Sequence, residues 1–451
     1  MKRLTLSLLL FTGLGITNGY AQTTPLTLQQ CLQYALANNQ QLAQVKLNED
    51  MGDLKVQETR AQALPQIDGT GQYTNNFKKQ IIPIPGDFLG QPGKTVLLAA
   101  SLTHNAMAQA TLTQQVFNQT VFTGLKAART GREYYKLQTA QTEENVIYNV
   151  SQLYYQVLVT RERIVVLQAN IHKLDTLVQS TDSQVKNGLA KRIDLDRIKV
   201  NLVNYKTQLT TQQNALETAY NLLKQTMGMP IDASITLPEA SFQEIAQHTD
   251  SPIDFGAMHL DNRVEYLLLK KEEALQQLQK KAYQAEYYPS LQLFANYSRN
   301  GLSNKFDLFE SNSTASWYSA GAAGLTLKIP IFDGFARRSR VGQATVTLKQ
   351  LSKEIEATNI SLNTQYNNAR LQVQNNLSTI RSQKENVDLA QEVYYATQNN
   401  YKLGLAGLTD LLESETSLTE AQNNYNEALL QYKLAELDII KANGNLKTLL
   451  N

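Results

Sequence analysis

The chain has 451 residues, enough by length alone for about three ordinary domains. Its 42 Lys and Arg nearly balance 40 Asp and Glu, a formal charge of +2, so it has no basic excess of the kind nucleic-acid binders carry. One cysteine, Cys31, excludes an intrachain disulfide framework and a thiolate metal cluster, and the four histidines (His104, His172, His248, His259) have no metal-ligand spacing.

The first 21 residues read as an export signal, with Lys2 and Arg3 as a basic start, Leu4 to Ile16 as an apolar centre and Gly19-Tyr20-Ala21 as a small-residue cleavage site. The mature chain is expected to begin near Gln22. No later stretch supplies the ~20 uncharged apolar residues of a spanning helix. Cys31 stands ten residues past the expected cut, so it reads as a helix residue and not as a site of lipid attachment.

Thr27 is the predicted N-cap of a helix that reaches Ala63, is interrupted only at Gly52, and stops at Leu64-Pro65. In residues 66–75, Ile67, Gly69, Gly71 and Tyr73 alternate with polar side chains, which predicts a strand. Residues 76–108 read as loop, with Pro83, Pro85, Gly86, Gly90, Pro92 and Gly93. A second strand is predicted at about 109–117. From Thr120 to Lys186 there is no proline, which allows one helix of about 100 Å. Apolar residues recur there at every seventh position (Val150, Val157, Ile164, Ile171, Val178, Val185). After Gly188 the series resumes at Leu195, Leu202, Leu209, Leu216 and Leu223, and Gly228 with Pro230 ends it. A sustained 3.5-residue period predicts left-handed coiled-coil packing. Residues 229–260 lose the period and read as a linker.

The pattern then begins again. A helix runs from Asn262 to Tyr288 and stops at Pro289. Strands are predicted at about 290–299 and 319–331 around a loop containing Trp317. A second long helix carries Tyr366, Val373, Ile380, Val387, Tyr394 and Tyr401, and its return carries Leu411, Leu418, Tyr425, Tyr432 and Ile439. Each lies 216 residues after its counterpart, as Gly404 does after Gly188 (404 − 188). The tip Gly188-Leu189-Ala190 reappears as Gly404-Leu405-Ala406, and Asp194-Leu195 as Asp410-Leu411. The chain therefore reads as a tandem duplication, 22–228 and 261–451, with tips at about 186–192 and 402–408.

Four strands cannot close a membrane barrel, for which about eight is the minimum. Three copies would pool twelve, and an exported chain whose strands cross a membrane must close them. The same symmetry would gather the Gln- and Asn-rich helices around a wet lumen. Nothing in the sequence resembles a nucleophile–base pair, a phosphate loop or a hydrolytic carboxylate pair, so the expectation is a non-enzyme without cofactor.

With its duplication, the strand end IPIFDGFARR at 329–338, and the tips NGLAKRIDLD at 187–196 and LGLAGLTDLLE at 403–413, the chain resembles the TolC-like outer-membrane efflux family over essentially its whole mature length. The resemblance implies a mainly α fold with a small transmembrane β part. It implies a homotrimer in outer-membrane lipid, with a 12-stranded β-barrel continued by a long periplasmic α-helical barrel. A periplasmic adaptor bound to an inner-membrane pump would touch the tips Gly188, Leu189, Ala190, Gly404, Leu405 and Ala406. Asp410 and Glu413 would face the pore at its periplasmic constriction as two stacked carboxylate rings; the other reading is that Asp410 caps its helix and Glu413 is solvated. Tyr401 and Asp194 match a pair that ties the inner hairpin to its neighbour, although Tyr401 also continues the heptad. Ala406 departs from the family's arginine, leaving Lys191 or Arg192, or packing alone, to hold the gate. Tyr73, Tyr297, Trp317 and Tyr318 read either as an aromatic belt or as ordinary strand aromatics. Arg337, Arg338 and Arg340 read either as the periplasmic membrane edge or as a solvated helix start. The implied function is a passive exit duct for small molecules; a protein-secretion duct of the same fold and a pore-less periplasmic spacer are the alternatives.

Overall fold

The structure is a computed structural model that describes residues 25–239 and 255–450; the expected signal segment lies outside the described residues. Its helices are α1 (Leu28–Asn38), α2 (Gln40–Ala61), α3 (Gln119–Lys186), α4 (Arg192–Met227), α5 (Val264–Ala285), α6 (Ala336–Lys402) and α7 (Leu408–Ala442). Its strands are β1 (Gln66–Asn75), β2 (Ile81–Pro85), β3 (Thr95–Ala99), β4 (His104–Phe117), β5 (Ser290–Ser303) and β6 (Ser316–Lys328). Among the described residues no helix is long and apolar enough to cross a membrane.

Thr27 caps α1: its Oγ1 accepts the Gln30 N–H at 3.3 Å, and Gln30 Oε1 accepts the Thr27 N–H at 2.9 Å. The break in this segment falls at Asn39 and not at Gly52. Asn39 ends α1, and its Oδ1 accepts the Leu42 N–H at 2.8 Å to start α2. An Asn side chain competes for backbone partners in just this way. Gly52 lies inside α2, where an added Cβ would stand 2.9 Å from Tyr135 Cδ2, so it permits a close approach to α3.

Helices α3 (68 residues) and α6 (67 residues) each run about 100 Å and fold back on α4 and α7. The heptad residues turn inward: Val150, Val157, Leu195, Leu223, Val373, Ile380, Leu411 and Leu418 are all buried. The main core lies midway along the bundle, where Leu32, Val157, Leu223, Val373 and Leu429 meet. Cys31 is fully buried there and burial pushes its thiol up to about 12, so it is an inert helix residue.

Two junctions lock the bundle with the same device. A Cβ on Gly228 would fall 2.2 Å from the Asn38 carbonyl oxygen, and Asn39 Nδ2 donates to the Thr226 carbonyl at 2.7 Å. A Cβ on Gly444 would fall 2.4 Å from the Asn262 carbonyl oxygen, and Arg263 Nη1 donates to the Ala442 carbonyl at 3.0 Å. Both glycines have positive φ (74° and 71°), so a side chain there meets strain and a clash together. The described ends of the linker are tied to the bundle: Arg161 donates to the Leu237 and Pro238 carbonyls, and Asn443 to Phe255.

Strands β1, β4, β5 and β6 form one antiparallel sheet in the order β1-β4-β5-β6, leaving β1 and β6 as unpaired edges. The second strand begins at His104, five residues before its expected start. β6 ends at Lys328, because Pro330 cannot continue the ladder. The expected loop 76–108 contains a hairpin, with β2 paired to β3 from Ile81↔Ala99 to Pro85↔Thr95. Two of the three prolines that suggested loop, Pro83 and Pro85, sit in β2, an edge strand, where proline is tolerated.

The register divides the sheet into two chemical faces. The pairs Ile67↔Leu112, Leu112↔Ala295 and Ala295↔Ala323 place apolar residues in line, joined by Ala110, Leu293, Tyr297, Leu325 and Leu327. The pairs Asp68↔Thr111, Thr111↔Asn296 and Gln109↔Ser298 make the opposite face polar. Tyr73, Tyr297 and Trp317 share the apolar face, whereas Tyr318, paired with Asn300, lies on the polar one. From Leu327 to Trp317 the apolar band spans about 25 Å for strands at a barrel's usual tilt. At its lower end Phe117 packs on Phe122 and Phe332 on Phe335, forming a second aromatic level.

Candidate functional site: the hairpin tips and the junction behind them

Both long helices end with the same turn. Gly188 (φ 73°) and Gly404 (φ 74°) are left-handed, a conformation that costs glycine nothing. The Leu189 N–H reaches the Gln184 carbonyl at 2.8 Å, and the Leu405 N–H reaches that of Asn400 at 2.8 Å. This is the Schellman bond that satisfies orphan carbonyls at a helix end. Leu189 and Leu405 are 79% and 76% exposed, so each tip carries an apolar side chain in water. Gly188 and Gly404 are exposed beside them, while Ala190 and Ala406 are half-buried.

The returning helices start differently. Asp410 Oδ2 accepts the Gly407 N–H at 2.9 Å, so this carboxylate holds the first turn of α7. Asp194 stands at the same place in α4, half-buried, with no side-chain cap bond at Lys191. Glu413 is exposed and lines a groove of about 750 Å³ between α4 and α7 with Asp196, Arg197 and Leu412. The two acids thus lie on one turn but face different surroundings. Tyr401 is half-buried among Leu174, Ile198, Leu408 and Leu411, and no hydrogen bond joins it to Asp194 within the protomer. Arg192 pairs with Asp196 on its own helix at 3.3 Å and does not cross to the other tip. The guanidinium that crosses is Arg197, whose Nη1 lies 3.5 Å from Thr409 Oγ1, a long and weak bond.

Behind the tips the hairpins meet in a buried polar junction that sequence reading missed. Asn170 Nδ2 on α3 donates to Thr419 Oγ1 on α7 at 2.7 Å, and the Tyr205 hydroxyl on α4 donates to the same oxygen at 3.2 Å. One turn earlier on α7 stands Glu415, 4% exposed, whose Oε1 has no hydrogen-bond partner. Burial pushes its carboxyl up to about 7, against the pull of Lys173. The Lys173 ammonium sits 5.1 Å above the Tyr394 ring and donates to Asn170 Oδ1 at 3.2 Å. One signal for this junction was present: the seam carries Ile198 behind the first tip but Ser414 at the equivalent place behind the second.

Among the described residues no group of His, Cys, Asp and Glu could hold a metal ion. The tips offer apolar contacts and exposed carboxylates.

Comparison with known proteins agrees with this arrangement. The family model "outer membrane efflux protein" matches residues 31–229 and 268–445. The outer membrane protein TolC of Vibrio cholerae is 21% identical over 412 residues, covering 91% of this chain and 89% of its own. The proteases secretion protein PrtF of Dickeya chrysanthemi is 20% identical over 447 residues, covering 98% and 92%. Among solved structures, the outer membrane protein VceC of Vibrio cholerae superposes with a TM-score of 0.70 at 16% identity, covering 92% of this chain and 96% of its own. The family-model match spans most of the chain, and the fold is shared end to end: the protein belongs to the outer membrane efflux protein family, whose members sit in the cell outer membrane as exit channels.

Proposed function

We propose that the protein is a trimeric outer-membrane duct that carries small molecules outward from a periplasmic adaptor and an inner-membrane pump. The observation that carries this reading is the two-faced sheet. Four strands with bare edges at β1 and β6 and an apolar face open to the outside are unstable alone. Three copies joined edge to edge give a 12-stranded barrel with lipid against Leu293, Ala295 and Leu325 and water against Asp68, Thr111 and Asn296. Exposed apolar residues along the helices, such as Met51, Leu371 and Val393, supply further surface for neighbouring copies.

In this reading the two halves of the chain are structural repeats, so a trimer presents six tips to the adaptor, with Leu189 and Leu405 as apolar contacts. Asp410 and Glu413 stand at the periplasmic mouth as rings that attract cations. Tyr401 meets Asp194 only across protomers, and Arg197 with Thr409 holds the two hairpins of one protomer in place of the family arginine absent at Ala406. The name of the relative PrtF favours a second reading, a duct for secreted protein, with the same architecture.

The test is conductance in planar bilayers. The wild-type protein extracts from outer membranes as a heat-resistant trimer and forms cation-blocked pores. Asp410→Asn with Glu413→Gln weakens that block at least tenfold. Protein that stays monomeric and soluble without detergent sinks both duct readings, and an unchanged block removes the two acids from the mouth. Deletion that lowers resistance to small toxic compounds while leaving protein secretion intact separates the first reading from the second.

A further inference from the structure

We infer that Glu415 is a protonation-controlled latch between the hairpins: uncharged, it lets α7 lie against α3 and α4, and ionised, it drives them apart. The inference rests on the duct reading only in supposing that separation of the hairpins widens the mouth.

The junction is built from all four helices of the tips. Facing Glu415 on α7 are Lys173 from α3, Tyr205 from α4 and Tyr394 from α6, with Glu420 further along α7 itself acting on Tyr205. Lys173 is the one cation among them. It is engaged by Asn170 and the face of Tyr394, and its pull on Glu415 is outweighed by burial. The hydroxyls do not rescue the carboxylate either. Thr419 donates its proton to the Glu415 main-chain carbonyl at 2.9 Å, and Tyr205 gives its own to Thr419. An ionised carboxylate with a buried, unpartnered oxygen is costly, whereas a neutral carboxyl of the same shape is tolerated. Nothing else at this height needs an acid, and Gln would fill the same space.

The sign follows from where the proton is held. In the packed arrangement the Glu415 carboxyl is pushed up to about 7, and once the hairpins part and water enters it returns towards its ordinary 4.5. The packed form binds the proton more tightly, so it is fully favoured in acid and is lost as pH rises through about 7. Between about 4.5 and 7 each pH unit shifts the balance about tenfold towards separation, and above about 7 the carboxyl is ionised in both arrangements and the balance no longer changes. Tyr205 and Tyr394 are raised by burial and stay protonated throughout.

The experiment is a distance measurement on the full chain in detergent. Spin labels are placed on exposed α4 and α7 positions (Lys199→Cys and Ser417→Cys), with Cys31→Ala as background. The wild-type label distance lengthens as pH is raised from about 4 to 7, and is constant above that. Glu415→Gln holds the short distance throughout, and Lys173→Gln makes the separation at high pH more complete, because the packed, ionised carboxyl loses the ammonium that favours it. Glu144→Gln, which removes the other carboxyl that burial pushes up to about 7, leaves the response as in wild type. No lengthening in the wild type, or the same lengthening in Glu415→Gln, overturns the latch. A chain that shows the pH response but forms no pore in bilayers keeps the latch and loses the duct, and the reverse result loses only the latch.

Discussion

The two tips have one backbone and two chemistries. Gly188 and Gly404 share a left-handed turn to within a degree, and each closes with a bond from the following leucine five residues back. Beneath them Leu195 and Leu411 fill the same place in the seam, at 0% and 4% exposure. Yet the first return helix opens on Lys191 and Arg192 without a side-chain cap, and the second opens on Gly407 held by Asp410. One turn on, Ile198 is buried behind the first tip and Ser414 with Glu415 behind the second. Glycine and the heptad fix the hairpin. The residues that make the two tips differ, Asp410, Ser414 and Glu415 among them, lie between the every-seventh positions.

If that division is right, the shared positions should respond alike. Leu195→Ala and Leu411→Ala each remove a fully packed side chain and should each cost about 2–4 kcal/mol of local stability, read by amide hydrogen exchange through the tip. A gap of more than about 1.5 kcal/mol between them would mean that the seams are packed differently. A smaller effect is expected at the turns. No atom lies within 4 Å of a Cβ built on Gly188 or Gly404, so the loss in Gly188→Ala and Gly404→Ala is backbone strain alone. About 1 kcal/mol is expected at each. Unequal losses would show that a neighbour crowds one tip in the assembled protein.

How far the sequence could be read follows the same division. Period seven found the hairpins because apolar residues recur at every seventh position, six times before each tip and five times after it. The strands were found wherever side chains alternate, as in Ile67, Gly69, Gly71 and Tyr73. The β2–β3 hairpin was hidden because its prolines are tolerated on an edge. The two faces of the sheet were not readable from single strands, since they emerge only when the register aligns Leu112 with Ala295 and Ala323. At the tips, sequence placed Asp410 and Asp194 at equivalent positions but could not choose between cap and pore. It offered Lys191 or Arg192 as crossing cations, whereas within the protomer the guanidinium that reaches the other hairpin is that of Arg197, because which arginine crosses depends on the angle between two helices. Nothing in the sequence sets Glu415 apart from the exposed Glu413 two residues earlier. Only the packing of α3 and α4 on α7 takes it out of water.

The finest test separates two roles at Asp410. Its Oδ2 accepts the Gly407 N–H, so Asp410→Ala should loosen the first turn of α7 by about 0.5–1 kcal/mol, seen as faster exchange of amides 407–411. Asp194→Ala loses only a favourable charge near a helix start, worth about 0.3 kcal/mol. Equal losses would mean that the bond to Gly407 adds nothing. Asp410→Asn divides the effect further, because its amide oxygen still accepts the N–H while the charge is gone. If the carboxylate matters as a cap, Asn should exchange like wild type and Ala should not. If it matters as part of a ring at the mouth, Asn and Ala should weaken cation block equally, whatever happens to the turn. A residue that fails in both ways is a cap whose charge is also exposed to the pore, which the first tip, without a bond at Asp194, has no means to copy.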